Sequence, residues 1–291
     1  MADLRLGSSE HRDLMCQQFV DTFRSYEARD VRWPELEADD LARVRAMPFW
    51  NEALTTERIA TRRIRLMVEA ERDATVREAI AIQAYEEERH AALFECLMEH
   101  YGIEVPEPAP YAPRDPEWGF MRMGYGEVFD IFFAFGLFKL AADARFFPPS
   151  LIEIFEGLIA EEARHIFFFH NWAAYTGRRL PAYVRPWFMM RRAAAVAIQA
   201  LGRMHTAIRM VAGGVQDKAD DFVIQAPARI CGSDLSFARF AEVCLAENER
   251  WMAAFDPRLP RPDFIPAMMR LALRAARRAN HRDGDGAPHS G

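Results

Sequence analysis

Cysteine is scarce in this chain and never paired: Cys16, Cys96, Cys231 and Cys244 stand far apart and form no Cys-x-x-Cys. That excludes a zinc ribbon, a rubredoxin-type iron site and a thioredoxin-type redox motif, leaving reduced, buried thiols as the expectation. Excess positive charge is missing too. The formal net charge is −6, so no broad basic surface is available and nucleic acid is not expected as a partner. The local exception, RRLPAYVRPWFMMRR (178–192), reads as a solvated helix entry with snorkelling arginines. Long apolar runs are absent. The most apolar, VFDIFFAFGLFKLAA, holds Asp130 and Lys139 and is too short to span a bilayer, and the N-terminus has no apolar signal core. We therefore expect a cytoplasmic protein without membrane contact. Strand signals are nearly lacking, the best being DFVIQA at 221–226.

Apolar residues, by contrast, make up 51 % of the chain and include 22 phenylalanines, enough material for a sizeable core. Their spacing is helical almost throughout, so the expected fold is all-α. Residues 1–45 read as an N-terminal arm with short helices, 46–176 as a four-helix bundle, 177–280 as additional helices packing on it, and 281–291 as a disordered tail. Within the bundle, the first helix runs from Pro48 to a turn at 71–75 and the second from about Val76 to Tyr101, closed by Gly102 and a proline-rich link. A third, from about Gly124 to Arg145, is apolar nearly all round and should be central. The fourth runs from about Leu151 to Tyr175, and three more follow at 184–212, 234–255 and 264–280, separated by breaks at 213–214 and 232–233.

The second helix carries charge where it should be apolar. In YEEERHAALF (85–94), Glu87 lies seven residues after Ile80 and seven before Phe94, and His90 lies seven before Leu97, so both share the buried stripe. The fourth helix repeats the pattern 75 residues later as EEARHIFFF (161–169), with Glu162 and His165 at equivalent inward positions. One such motif suits a solvated helix. Two on buried stripes would bury acids and imidazoles without compensation unless cations join them. Residues three apart on a helix sit about 4.5 Å apart along the axis, so each Glu-x-x-His pair converges on one ion.

Two metals in such a bundle take one further acid from each remaining helix. On the first helix Glu57 stands level with Glu87 across the turn at Asp73; Glu52 lies too far out and Glu69 too near the turn. On the third helix the candidates are Glu127 and Asp130, thirty-five and thirty-two residues before Glu162, and spacing does not separate them. We take Glu127 as the ligand and Asp130 as the alternative.

Glu57, Glu87-x-x-His90, Glu127 and Glu162-x-x-His165 resemble the six-ligand pattern of the ferritin-like di-iron carboxylate proteins. These include bacterial multicomponent monooxygenase hydroxylases, acyl carrier protein desaturases, arylamine N-oxygenases and ribonucleotide reductase small subunits. The resemblance spans about residues 46 to 176. It implies that Glu86 and Glu161 accept the remaining imidazole N–H of the ligand histidines, in crossed pairs with His165 and His90, and that Arg89 and Arg164 neutralise these outer acids. Mixed carboxylate and imidazole ligation suits two iron ions, with manganese as competitor. It also implies O2 as co-substrate, a small-molecule or carrier-bound substrate to be hydroxylated, N-oxygenated or desaturated, an electron-donating reductase as partner, and a homodimer.

Two departures bear on the choice within the family. Phe94 stands where many ribonucleotide reductase small subunits place a radical tyrosine, and Leu158 stands where arylamine N-oxygenases carry an extra histidine. Phe94 and Phe169, each four residues beyond a ligand histidine, are expected to wall an oxygen pocket, with His205 and Arg191 and Arg192 facing it and the helices after residue 180 roofing it. The leading expectation is an O2-dependent monooxygenase or oxidase; the alternative is a ferroxidase that handles iron without an organic substrate.

Overall fold

A computed structural model describes residues 4–47, 49–108, 110–112, 114–211 and 236–284. Among these the chain is all-helical, with α1 (Ser9–Asp21), α2 (Ala38–Arg45), α3 (Trp50–Ala70), α4 (Ala74–His100), α5 (Pro116–Asp143), α6 (Pro149–Arg179), α7 (Arg185–Val211), α8 (Phe237–Met252) and α9 (Phe264–Gly284), and it contains no strand. DFVIQA and both glycine breaks lie outside the described residues. Of the tail, 281–284 continue α9 and the rest is outside the described residues. No described helix is long and apolar enough to cross a membrane.

Helices α3 to α6 form the bundle. Short turns at 71–73 and 144–148 make α3 with α4, and α5 with α6, antiparallel hairpins, and the hairpins meet through α3 against α5 and α4 against α6. The α4 start is fixed by Asp73, whose carboxylate accepts hydrogen bonds from Thr75 N and Val76 N at 3.2 and 3.4 Å. Its end is fixed by Gly102, whose φ of +65° lets Ile103 N turn back to Met98 O at 2.7 Å.

The third bundle helix begins two turns earlier than its apolar pattern indicated. Asp115 caps Trp118 N at 2.9 Å and Pro116 occupies the first helical position, where a missing N–H costs nothing. As its all-round hydrophobicity implied, α5 is central: it packs on α3, α6, α7, α8 and α9. Helix α1 lies across α4 and α6. The core divides in two along the bundle, one part around Phe120, Phe135, Phe169 and Trp172, the other around Trp50, Phe94, Leu97 and Leu151.

Candidate metal centre

Between these two apolar halves sits a polar layer. Glu87, His90, Glu162 and His165 are all buried, and one ligand atom from each lies within 4.8 Å of every other, a group able to hold a metal ion. Antiparallel packing of α4 and α6 brings the two Glu-x-x-His pairs face to face. Glu162 lies between the rings, with Oε1 3.0 Å from His90 Nδ1 and Oε2 3.6 Å from His165 Nδ1. Glu87 Oε1 is 3.0 Å from His165 Nδ1.

The two 3.0 Å separations are of hydrogen-bond length without hydrogen-bond alignment. Both Nδ1 atoms and Glu87 Oε1, all buried, have no hydrogen-bond partner in the structure. The opposite ring nitrogens are satisfied: His90 Nε2 donates to Glu161 Oε2 at 2.8 Å and His165 Nε2 to Glu86 Oε2 at 3.0 Å. Each outer acid thus contacts the histidine of the other helix. When a cation displaces the second proton, the one held on Nε2 by a carboxylate leaves the Nδ1 lone pair facing the centre, the tautomer a metal ligand requires.

The two single acids border the same space. Glu57 Oε2 lies 3.9 Å from His90 Nδ1. Glu127 feels Glu87, Glu162 and His165 electrostatically, and its Oε2 is buried without a partner. Asp130, one turn further along α5, also borders this space but its carboxylate is engaged by Arg203 of α7, at 2.9 Å from Nε. Glu87, His90, Glu162 and His165 thus form a group of acids and imidazoles able to hold a metal ion, and Glu87 Oε1, Glu127 Oε2 and both Nδ1 atoms are buried there without a hydrogen-bond partner.

Proton affinities reflect the crowding. Burial raises Glu57 and Glu127 well above the usual carboxylate range, and the neighbouring Glu87 and Glu162 add to it. Burial alone would lower His90, but Glu161, Glu162 and Glu87 overcome it and push it up to about 9. His165 is likewise raised against burial, by Glu87, Glu162 and Glu86. Glu162 falls below its ordinary range because the two imidazoles outweigh its burial.

The outer acids have charged partners of their own. Arg89 donates to Glu161 at 2.7 Å and Arg164 to Glu86 at 2.6 Å. Both arginines also hold a segment with no motif to mark it: Arg89 reaches Arg24 O at 2.9 Å and lies over the Tyr26 ring at 3.9 Å, while Arg164 reaches Phe19 O at 2.6 Å and Thr22 Oγ1 at 2.8 Å. Tyr26 OH stands 3.5 Å from Glu161. Backbone carbonyls carry no residue signature, so sequence could not have found these contacts.

A cavity of about 290 Å³ is bordered by Glu57, Glu87, Glu127 and Glu162, together with Glu52 and Asp130, and is otherwise mainly apolar. Phe94 lines it, but Phe169 does not: it packs against Tyr125, Phe120 and Trp172. The reason is that α4 and α6 run in opposite directions, so four residues beyond each histidine leads to opposite ends of the centre. His205 is exposed, and Arg191 instead pairs with Asp115 and Glu117 at 2.7 and 3.0 Å, while Arg192 lies near the Tyr125 ring. Among the described residues none beyond Glu162 lines the cavity, and its described walls come from α3 to α6 and the loop residue Phe147.

Compared with known protein families, with curated proteins and with solved structures, the chain has no match.

Proposed function

We propose that the chain is a non-haem di-iron oxidoreductase that uses O2 to oxidise an organic substrate. His90 with Glu57 would hold one ion and His165 with Glu127 the other, Glu87 and Glu162 lying between them. When bound, a ferrous pair supplies the two electrons that O2 activation needs. The protein's own contribution is placement and exclusion: Glu86 and Glu161 orient the imidazoles, and apolar walls keep water from the reacting face.

The observation that carries this reading is the cavity. A mainly apolar space that Glu57, Glu87, Glu127 and Glu162 all border suits an organic substrate better than a transit route for hydrated iron, which needs polar walls. The test is anaerobic loading of the full chain with ferrous iron, metal analysis, then exposure to O2 with organic candidates. Two irons per chain and substrate-dependent O2 uptake with an oxidised organic product are expected. Ferric mineral without organic product would mean iron handling instead, and failure to retain metal would remove the centre altogether.

A further inference from the structure

Helix α7 inverts the usual arrangement of a surface helix, which presents charge to water and apolar side chains to the body. Its three arginines between residues 187 and 204 turn inward: Arg191 pairs with Asp115 and Glu117 at 2.7 and 3.0 Å, Arg203 pairs with Asp130, and Arg192 lies over the Tyr125 ring, all on α5 or its cap. Gln199 also donates to Arg122 O at 2.6 Å, and Phe188 and Ala195 are buried. Residues 188, 192, 195, 199 and 203 follow one another in steps of three and four, so this set is the inner face. The apolar residues face out. Trp187, Met190, Leu201 and Met204 are 58, 54, 58 and 53 % exposed, and no charged residue stands in their stripe.

With Ala194 and Ala197 these four form one stripe in steps of three, four, three, four and three residues. That is the spacing of a seam that packs against a second helix. The stripe is also symmetrical: read from either end, its side chains run large, large, small, small, large, large. A twofold axis midway between Ala194 and Ala197 sets Trp187 against Met204 of a second copy, Met190 against Leu201, and Ala194 against Ala197. The small pairs then stand at the waist, where the helix axes can approach to about 8 Å. The area is sufficient. At about 200 Å² for a large side chain, the four exposed chains and Ile198, itself 42 % exposed, present roughly 500 Å². Exposed Pro186, Ala193 and Ala197 bring the face to the roughly 600 Å² a side at which stable interfaces begin. An anionic bilayer fits less well, because the arginines that would rim the face are engaged with α5.

We infer that this face of α7 binds the same face of a second copy of the chain, the two helices running antiparallel about a twofold axis between Ala194 and Ala197. Helix α7 lies outside the bundle of α3 to α6, and the inference does not rest on the proposed oxidation, since the pairing needs neither metal nor substrate.

Analytical sedimentation of the full chain at about 10 μM, where interfaces of this size class associate, tests it. A particle of twice 33.5 kDa is expected. Met190→Glu or Leu201→Glu should weaken association about 100-fold or more, because each dimer would bury two unpaired carboxylates, while the far-UV circular dichroism stays as it was. Leu271→Glu, at a position 67 % exposed on α9, should leave the dimer intact. Orientation is read separately by oxidising mixtures, which keeps the test open if a glutamate variant fails to fold. Chains carrying Met190→Cys should cross-link to chains carrying Leu201→Cys more readily than either does to itself. A monomer at this concentration would overturn the inference, as would a dimer that survives both glutamates or is broken by Leu271→Glu instead. Self-linkage of Met190→Cys in preference to the mixed pair would do the same. A monomer that floats with phosphatidylcholine vesicles, and no longer does so as Leu201→Glu, would give the face to a bilayer and also overturn the inference.

Discussion

Glu162 reaches both imidazoles, whose ring centroids are 5.5 Å apart, so one carboxylate spans the centre. Such a cluster cannot be fully ionised without cations. Glu57 and Glu127 are raised well above the usual range, and His90 stands at about 9 against an ordinary 6.5. All three bind protons more tightly in the folded chain, so their contributions have the same sign: each is lost as pH rises through the folded value. For His90 the stabilisation is complete below about 6.5 and gone above about 9. The metal-free protein should therefore melt at progressively lower temperature from pH 6.5 to 9, while the metal-loaded protein stays nearly flat because cations replace the protons. Metal affinity should rise across the same window, with proton release measurable by calorimetry in buffers of different ionisation enthalpy. A metal-free melting temperature that climbs with pH would contradict this account. At this scale the seven-residue spacing made the inward acids and imidazoles legible, because burial of a helix stripe follows from period alone. What distinguishes the surroundings of Glu127 from those of Asp130 was not legible, since Asp130 meets Arg203, which arrives from a helix far along the chain.

Among the elements, α5 shows most clearly why type is easier to read than contact. Its hydrophobicity on every face announced a central helix, but not which partners press on which turn. Gly136 marks one such place: a Cβ there would collide with Cys244 Sγ and stand 3.1 Å from the Cys244 Cα and N on α8. Backbone cannot swing aside as a flexible side chain can, so Gly136→Ala must push α8 away from α5. We expect a loss of about 1–3 kcal/mol, read as a lower urea midpoint at unchanged slope. Gly157, where an added Cβ meets nothing within 4 Å, is the control, and Gly157→Ala should be neutral or slightly stabilising through helix propensity. Equal effects of the two substitutions would mean that the α5 to α8 contact is looser than described. The early start of α5 belongs to the same lesson. A proline-rich run reads as a link, yet Pro116 is a helix starter once Asp115 caps the turn.

In the whole molecule, the N-terminal arm and the candidate metal centre form one connected structure. The expectation of an arm on the body was legible from its mixed polarity, but its role was not. The arm is fastened to the outer acids by two buried arginines, Arg89 through Arg24 O and Tyr26 and Arg164 through Phe19 O and Thr22, and those acids hold the imidazoles of His90 and His165. A cation that fixes the imidazoles also fixes Glu86 and Glu161, and through the guanidinium groups it fixes residues 19–26. Because coupling between binding and order is reciprocal, loosening the arm must weaken the metal. Amide hydrogen exchange in residues 19–26 should therefore slow when metal is added, while exchange in the exposed turn at 182–183 stays unchanged. Arg89→Gln, which removes the charge partner of Glu161, should weaken metal affinity by about 10- to 100-fold, and Thr22→Val should weaken it less because Arg164 keeps its bonds to Glu86 and Phe19 O. Arg65→Gln serves as the control, since Arg65 pairs only with exposed Glu88 in the described contacts and should leave affinity as it was. If Arg89→Gln and Arg65→Gln bind metal equally well, the arm merely covers the bundle and takes no part in shaping its centre.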